Sequence, residues 1–327
     1  MVAGNSLLVS LVKLVDKLPM PSEPSKRGRG KPRTYSDRLI VKALVVMIVR
    51  RLYSASALLA FLEQKDNVSQ DLRCLLCENG QFPSRRTWER RLKKLPESLP
   101  GLIGCLGRDL VELLRPWQWQ GHAAALDSTA LKTGGGVWHK KHRERGEVPH
   151  TSIDTEAGWS KSGWHGWWYG WKLHLAVAVG SVWIPLTAQL TVANTDDARV
   201  APALLAQLPA QVRFVLGDTH YNDPDLRQDC ERDNRLLVAT RRGKYPHTDD
   251  GVEVRRIFHK LRSQAIEPFN NLFKSVFNWH TQMPVKGLNR SQLLALGAIF
   301  VYQLVLLYQH EHHLPVGIGI KAFLRAA

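Results

Sequence analysis

Three carboxylates in this 327-residue chain stand where they could hold hard divalent cations: Asp127, Asp218 and Glu267. Asp127 lies in the middle of AALDSTAL, a short apolar run that reads as a buried strand. An ionised acid on such a strand is costly unless it is paired or binds a metal. Asp218 closes a second apolar run, VRFVLGD, and Glu267 belongs to the helical segment IEPFNNLFK. Acids delivered by two strands and a helix form an oxygen-rich site of the kind magnesium or manganese prefers. Two such ions, roughly 4 Å apart, can clamp the attacking and leaving oxygens of a phosphodiester. Taken singly, each acid also has an ordinary reading: a strand end for Asp127, a loop start for Asp218, a solvent-facing position for Glu267. Asp154, Asp196 and Asp197 are rival acids, and the last two suit the capping of a helix at 198–208.

The elements that must position these acids follow from apolar periodicity. Strands are expected at 122–132, 172–179 and 182–192, with Gly180-Ser181 as a two-residue hairpin turn. A helix at 198–208, a strand at 212–217, a helix opening at Asp223-Pro224, a strand at 236–240 and the helix carrying Glu267 complete the order β-β-β-α-β-α-β-α. Residues 133–170 read as a loop with GGG, HKKHRER and Trp159, Trp164, Trp167 and Trp168. With Trp171, these tryptophans could stack on bases, but ordinary packing is the favoured reading. Proline is tolerated in the first turn of a helix and disfavours αR in the residue before it, so Pro268 predicts that Glu267 sits at a helix start. The element order is that of a ribonuclease-H-like sheet. In that topology the first and fourth strands are neighbours and the last helix crosses close to both.

Upstream the pattern is helical. Residues 5–18 form an amphipathic helix, and 19–32 a Pro- and Lys/Arg-rich linker that is either a DNA-touching arm or a solvated tether. Four helices follow between 36 and 95, capped by Ser36, Ser54 and Ser84 at three of them, with the third at 69–78. The fourth carries Arg85, Arg86, Arg90, Arg91, Lys93 and Lys94, and with the preceding helix and Gly turn it resembles a helix-turn-helix unit. Arg85 and Arg86 would reach base edges and the others the backbone, so a fragment ending near Trp117 is expected to bind DNA alone. A further helix, 102–114, is ended by Pro116. Lys172 and His174 alternate to one strand face and are read as further DNA contacts.

The formal charge is +16. Before Gly121 there are 21 Lys and Arg against 11 Asp and Glu, a net +10. Such an excess points to a polyanionic partner. Of the four cysteines, Cys74 and Cys77 have CxxC spacing but no partner pair at zinc-site distance, and read as buried thiols. The apolar N-terminus lacks a signal-peptide pattern, and the run 293–308 with its internal Gln303 reads as a buried core helix. A cytoplasmic protein with no membrane partner is expected.

With these residues in place, the chain from 121 to 313 resembles bacterial insertion-sequence transposases with a DDE catalytic domain. The resemblance is carried by ALDST around Asp127, YGWKLHLAVAV at 169–179, LTVANTDDA at 190–198, VLGDTHYND around Asp218 and IEPFNNLFK around Glu267. The acids are separated by 91 and 49 residues, too few in the second interval for the insertion domain some relatives carry. The resemblance implies that Asp127, Asp218 and Glu267 bind two Mg2+ or Mn2+ ions. It also makes Lys274, two turns after Glu267, a phosphate contact. The family often has Arg four residues before the glutamate; here Ser263 holds that place and Arg262 precedes it as a DNA contact. The family tyrosine is absent, with Lys260 near its place.

The implied fold is α/β, a ribonuclease-H-like mixed sheet with flanking helices preceded by an all-α N-terminal region. The implied division is 1–34 helix and linker, 35–117 helical DNA-binding region, and 118–327 catalytic domain. The implied function is that of a DNA transposase, a homodimer on double-stranded DNA, which binds terminal inverted repeats, cleaves and transfers strands. A non-catalytic DNA-binding regulator, a decayed copy, or a nuclease that cuts without joining are the alternatives.

Overall fold

The computed structural model describes residues 4–20, 34–118, 122–163, 166–239 and 249–327, with side chains undescribed at 4–6, 115–118 and 249–255. Most of the basic linker and Trp164 lie outside the described residues. The N-terminal part is all helical: α1 (Gly4–Lys17), α2 (Asp37–Val49), α3 (Ala55–Leu62), α4 (Asn67–Leu75), α5 (Arg85–Lys94) and α6 (Leu99–Gln118). Ser36, Ser54 and Ser84 cap α2, α3 and α5 as expected, each accepting from a backbone N–H three residues on. Helix α4 starts earlier than expected because Asp66 caps it, accepting from the Ser69 N–H at 2.9 Å. Helix α6 starts earlier too, with Pro100 in its first turn, and runs two residues past Pro116. Cys74 is exposed, because the buried face of α4 is Val68, Ser69 and Leu72; Cys77 lies beyond the helix end. The expectation of two buried thiols fails there.

A six-stranded mixed sheet follows. Its strands are β1 (Ala123–Lys132), β2 (Gly158–Ser162), β3 (Gly166–Ala178), β4 (Ile184–Val192), β5 (Phe214–Gly217) and β6 (Leu236–Ala239). Strand β1 is central, antiparallel to β3 and parallel to β5, and β5 is parallel to β6. The far edge of β3 is shared end to end: its first residues pair with β2 and its later ones with β4. Setting β2 aside, this is the five-strand order expected, with the first and fourth strands side by side.

Strand β2 and the helix α7 (Lys140–Glu144) occupy the segment expected to be loop. Alternation in GWSKS is too short to read against so many glycines and tryptophans. The β3–β4 connection is five residues, since Ala178 pairs with Ile184, and not the two-residue turn expected. Val182 within it is buried, which draws the chain back into the core. The remaining helices are α8 (Asp197–Leu205), α9 (Pro224–Arg232), α10 (Asp249–Phe277), α11 (Leu288–Glu311) and α12 (Ile320–Ala326).

One apolar core runs from α1 to the C-terminus. Helix α11 is its axis. By length and composition it could cross a membrane, but 94% of its apolar window lies inside the fold. It packs on α1, α2, α5 and α6 on one side and on β4 on the other, while α6 itself lies against β4. Deep in this packing, Gln303 donates from Nε2 to the Ile103 carbonyl of α6 at 2.9 Å and to the Pro185 carbonyl of β4 at 2.8 Å. The helical region therefore shares its core with α11 and the sheet. A chain cut near Trp117 would lay bare the faces of α2 and α6 that α11 covers.

The close approach of α6 to β4 depends on Gly107. A Cβ there would lie 2.7 Å from the Pro185 carbonyl oxygen and 3.1 Å from the Leu186 Cα, both backbone atoms that cannot swing aside. Gly101, in the same helix, faces open space. Gly107→Ala is expected to destabilise by about 1–3 kcal/mol through overpacking, despite the better helix propensity of alanine. Gly101→Ala is expected to be neutral or stabilising by up to about 1 kcal/mol. Urea midpoints of the two variants check the pair, and equal shifts would contradict the close-packed arrangement.

Candidate active site

The site begins with register. Ala125 of β1 pairs with Leu216 of β5 in the parallel ladder. Asp127 lies two residues further along β1, and Asp218 lies two residues past Leu216, immediately beyond the end of β5. Because side chains alternate with period two, both carboxylates leave the same face at the same end of the pair. The sequence predicted this juxtaposition, and its electrostatic consequence is visible. The Asp127 carboxyl is pushed up to about 6 by burial first, with Arg262 pulling it down and Asp218 and Asp197 pushing it up. Asp218 is held by its own turn: Oδ1 accepts from the His220 N–H at 2.9 Å, and Oδ2 lies 3.1 Å from His220 Nδ1. It is therefore the loop-starting cap and the site acid at once.

Helix α10 supplies the other wall, crossing β1 and β5. Asn270 Nδ2 donates to Asp127 Oδ2 at 3.2 Å, and Arg262 Nη2 lies 3.3 Å from Asp127 Oδ1. The other terminal nitrogen of Arg262 is 4.0 Å from Glu267 Oε1. Asp127 and Glu267 thus lie on opposite sides of one guanidinium. Lys274 is half-buried, its ammonium pKa lowered by burial and raised again by Asp127, so it too faces the cluster.

Glu267 is not at a helix start as Pro268 suggested. Helix α10 runs unbroken through the proline. The reason is tertiary: Ile266, Phe269 and Phe273 are fully buried at helical spacing on either side of Pro268 and hold the turn in place.

The predicted DNA contacts separate into two groups. On α5, Arg86, Arg90, Lys93 and Lys94 are exposed. Arg85 is exposed but paired with Glu89 at 2.8 Å. Arg91 points inward: its side chain is only 11% exposed, at 2.5 Å from Asp37 and donating to the Tyr35 carbonyl at 2.7 Å. It is a structural tie and not a surface cation. Helix α5 packs chiefly on α2, α3 and α11, and it meets α4 through Phe82, whose ring lies under Arg73 of α4 and edge-on to Trp88 of α5.

On β3, His174 is fully buried and unavailable to DNA. Its Nε2 is 2.8 Å from Thr191 Oγ1, and its Nδ1 3.3 Å from Asp197 Oδ1. Burial lowers its pKa to about 4, so it is a neutral imidazole at neutral pH. Lys172 bonds the Thr195 carbonyl at 3.0 Å and Asp197 Oδ1 at 3.2 Å. The expectation that both residues contact DNA fails because their sheet face is not a surface; α8 covers it. Arg262, 7% exposed, is likewise committed to the acids.

Four residues of the site escape a reading of the sequence alone. Asp196 by itself caps α8, accepting from the Ala198 N–H at 3.0 Å, which frees Asp197 to turn inward beside Asp127. Lys172 and His174, two cationic types on one strand face, are the available signal for an acid partner. Asn270, Tyr221 and His220 carry no signal of their own. Asp154, the remaining rival, is a structural hub: it accepts from the Gly287 N–H at 3.0 Å and from the Thr133 hydroxyl. The tryptophans divide as well. Trp168 and Trp171 are buried, while Trp167 is 66% exposed under Lys161.

The donors suit a hard cation in kind. They are carboxylate oxygens, two of them in register, and the buried Tyr221 Oη and Asn270 Oδ1 beside them lack a hydrogen-bond partner. They do not form a closed cage, for among the described residues no three acid, His or Cys side chains converge on one point. The Arg262 guanidinium between Asp127 and Glu267 accounts for this.

A buried carboxyl raised from 3.8 to about 6 lowers folded stability. Below pH 4 the acid is protonated in both folded and unfolded states and costs nothing. The penalty grows as pH rises from about 4 to 6 and is constant above, at roughly 3 kcal/mol at most. Asp127→Asn is therefore expected to raise the melting temperature at pH 7.5 in chelator, with the gain shrinking towards pH 4. A gain that does not change with pH would show that the carboxylate charge is not its source.

Comparison with known proteins adds the family. The family described as "Transposase DDE domain" matches residues 119–304, more than half of the chain, and its members use divalent metal ions. No curated protein matches. Among solved structures, the piggyBac transposase synaptic complex with hairpin DNA is similar, at 10% identity and a TM-score of 0.43, over 98% of this chain and 74% of that one. The matched span holds β1 to β6 and α10 with every acid of the cluster, and the chain belongs to the transposase DDE domain family.

Proposed function

We propose that this transposase binds the terminal inverted repeats of an insertion sequence, cleaves a strand at each end and joins the freed 3′ hydroxyl to target DNA. The observation that carries the reading is the in-register pair Asp127 and Asp218, faced by Glu267, Asn270 and Lys274 from α10. Asp127, Asp218 and Glu267 would hold two Mg2+ or Mn2+ ions. When bound, such ions polarise the phosphoryl oxygen and lower the pKa of an attacking water.

The chain's own side chains do the rest. Asn270 fixes the Asp127 carboxylate through Oδ2. Arg262 tethers Asp127 and Glu267 and offsets part of their charge. Lys274, partly desolvated, offers its ammonium to a phosphate beside Asp127, where a point charge is stronger than in bulk water. The exposed cations of α5 touch the backbone of the end DNA, and a homodimer brings two ends together.

Three measurements test this. Asp127→Asn should abolish cleavage of end DNA with magnesium, a loss beyond about a hundredfold, while binding of the ends persists. A variant that still cleaves removes Asp127 from the site. For binding, neutralising Arg86, Arg90, Lys93 and Lys94 in the full chain should weaken affinity for all duplexes. It should also flatten the salt dependence by about one unit of log–log slope for each phosphate that the protein no longer neutralises. An unchanged slope would place the DNA interface elsewhere. Capture of end DNA into a target plasmid separates a transposase that joins from one that only cuts.

A further inference from the structure

The acid cluster contains a buried hydroxyl that the fold does not satisfy. Tyr221 closes the 3-10 turn Thr219–Tyr221 that Asp218 caps. The turn folds the ring back against the end of β5, where Gly217 makes room: a Cβ at 217 would come within 2.7 Å of the Tyr221 Cβ and 3.1 Å of its Cγ. The residue is 1% exposed, yet its Oη has no hydrogen-bond partner. Three carboxylates lie near enough to act on its charge. Its ionisation is pushed well up by burial first, then by Asp197, Asp127 and Asp218, with Arg262 opposing.

An unpaired buried hydroxyl costs roughly 1–3 kcal/mol, so a fold that keeps one calls for an explanation, such as an ordered water or an ion. The neutral phenol lies near three acceptors and is bonded to none of them, and a bridging water would satisfy it. Asp197 belongs to the same arrangement. It sits in the first turn of α8, which packs on β1 and on the Tyr221 turn. Lys172 and His174 both approach its Oδ1, at 3.2 and 3.3 Å, so its carboxylate is clamped beside Asp127.

We infer that Tyr221 and Asp197 are positioning residues of the cation centre: the Tyr221 O–H donates to a water held among Asp127, Asp197 and Asp218, and the clamped Asp197 carboxylate orients that water. This rests on the reading of Asp127 and Asp218 as cation ligands and extends the centre to two residues outside the DDE set. The water then serves as a ligand of the bound cation, so both residues act on metal affinity without touching the metal.

The test is Mn2+ binding to the full-length protein without DNA, read from the loss of the free Mn2+ paramagnetic resonance signal, for wild type and three variants. Asp127→Asn reports on the cation site itself. Tyr221→Phe keeps the ring and its packing and removes only the hydroxyl. It is expected to weaken Mn2+ affinity by about 10- to 100-fold, as loss of outer-shell partners does. The melting temperature in chelator should stay level or rise. Asp197→Asn is expected to weaken affinity over the same range. Should Asp197→Asn fail to fold, Tyr221→Phe carries the test by itself. If Tyr221→Phe and Asp197→Asn bind Mn2+ as wild type does while Asp127→Asn does not, this inference is overturned and the cation site stands. If wild type binds no Mn2+, or Asp127→Asn binds it equally well, the cation reading falls and this inference with it.

Discussion

A carboxylate placed on the central strand of a sheet is the constraint around which this site is arranged. β1 has neighbours on both edges, and Asp127 is only 20% exposed within it. Desolvation alone would favour the neutral acid. Arg262 and Asn270 counter that tendency from α10, one at each oxygen. Asp218 and Asp197 strengthen it. The balance stays on the side of protonation, with the carboxyl at about 6. The protein's own cations therefore leave the cluster under-compensated. A fold selected for stability alone would exchange such a group for an apolar one. On the proposed reading, the excess of negative charge is what favours a hard cation there.

That arrangement depends on α10 lying where it does, and α10 is fixed through apolar contacts far from the acids. Phe269 packs edge-on against Tyr302 of α11, with ring centroids 5.2 Å apart, and Phe273 packs in turn on Phe277 and Trp279. Helix α11 is held from its other side by α1, α2 and α6. The N-terminal helices thus brace the helix that braces the catalytic wall. This packing carries no specific chemistry, only burial, but it means that the helices carrying the basic surface of α5 and the acid cluster share one apolar core.

What can be read from the sequence follows from how local each determinant is. The strand order, the serine caps and the Asp127–Asp218 pair are legible because apolar runs, cap residues and a period of two are properties of neighbouring residues. The β2 strand is not, because five residues among glycines and tryptophans have no period, and they are ordered by pairing with β3. The error at Lys172 and His174 has the same origin. Alternation identifies their common face correctly, but only the tertiary position of α8 shows that the face is covered and that Asp197 waits there. Arg91 resembles a surface cation because six of the ten residues of its helix are Arg or Lys; its partner, Asp37, lies 54 residues earlier.

Pro268 shows the conflict between local preference and packing most clearly. Proline lacks the N–H that would bond the Gln264 carbonyl, and its ring disfavours the helical conformation of Glu267. The helix continues because the buried row of Ile266, Phe269 and Phe273 outweighs that preference. The consequence is a division among the three acids. Asp127 and Asp218 are fixed by strand register and by a capped turn, positions that cannot shift without breaking the ladder. Glu267 is 59% exposed on a helix whose local hydrogen bonding the proline has weakened, and the Arg262 side chain lies between it and Asp127. Two of the carboxylates are thus set by the sheet and the turn that closes β5, and the third by a long side chain on a helix. On the proposed reading, such a site holds its charges in place at the first two and adjusts to a bulky polyanion at the third.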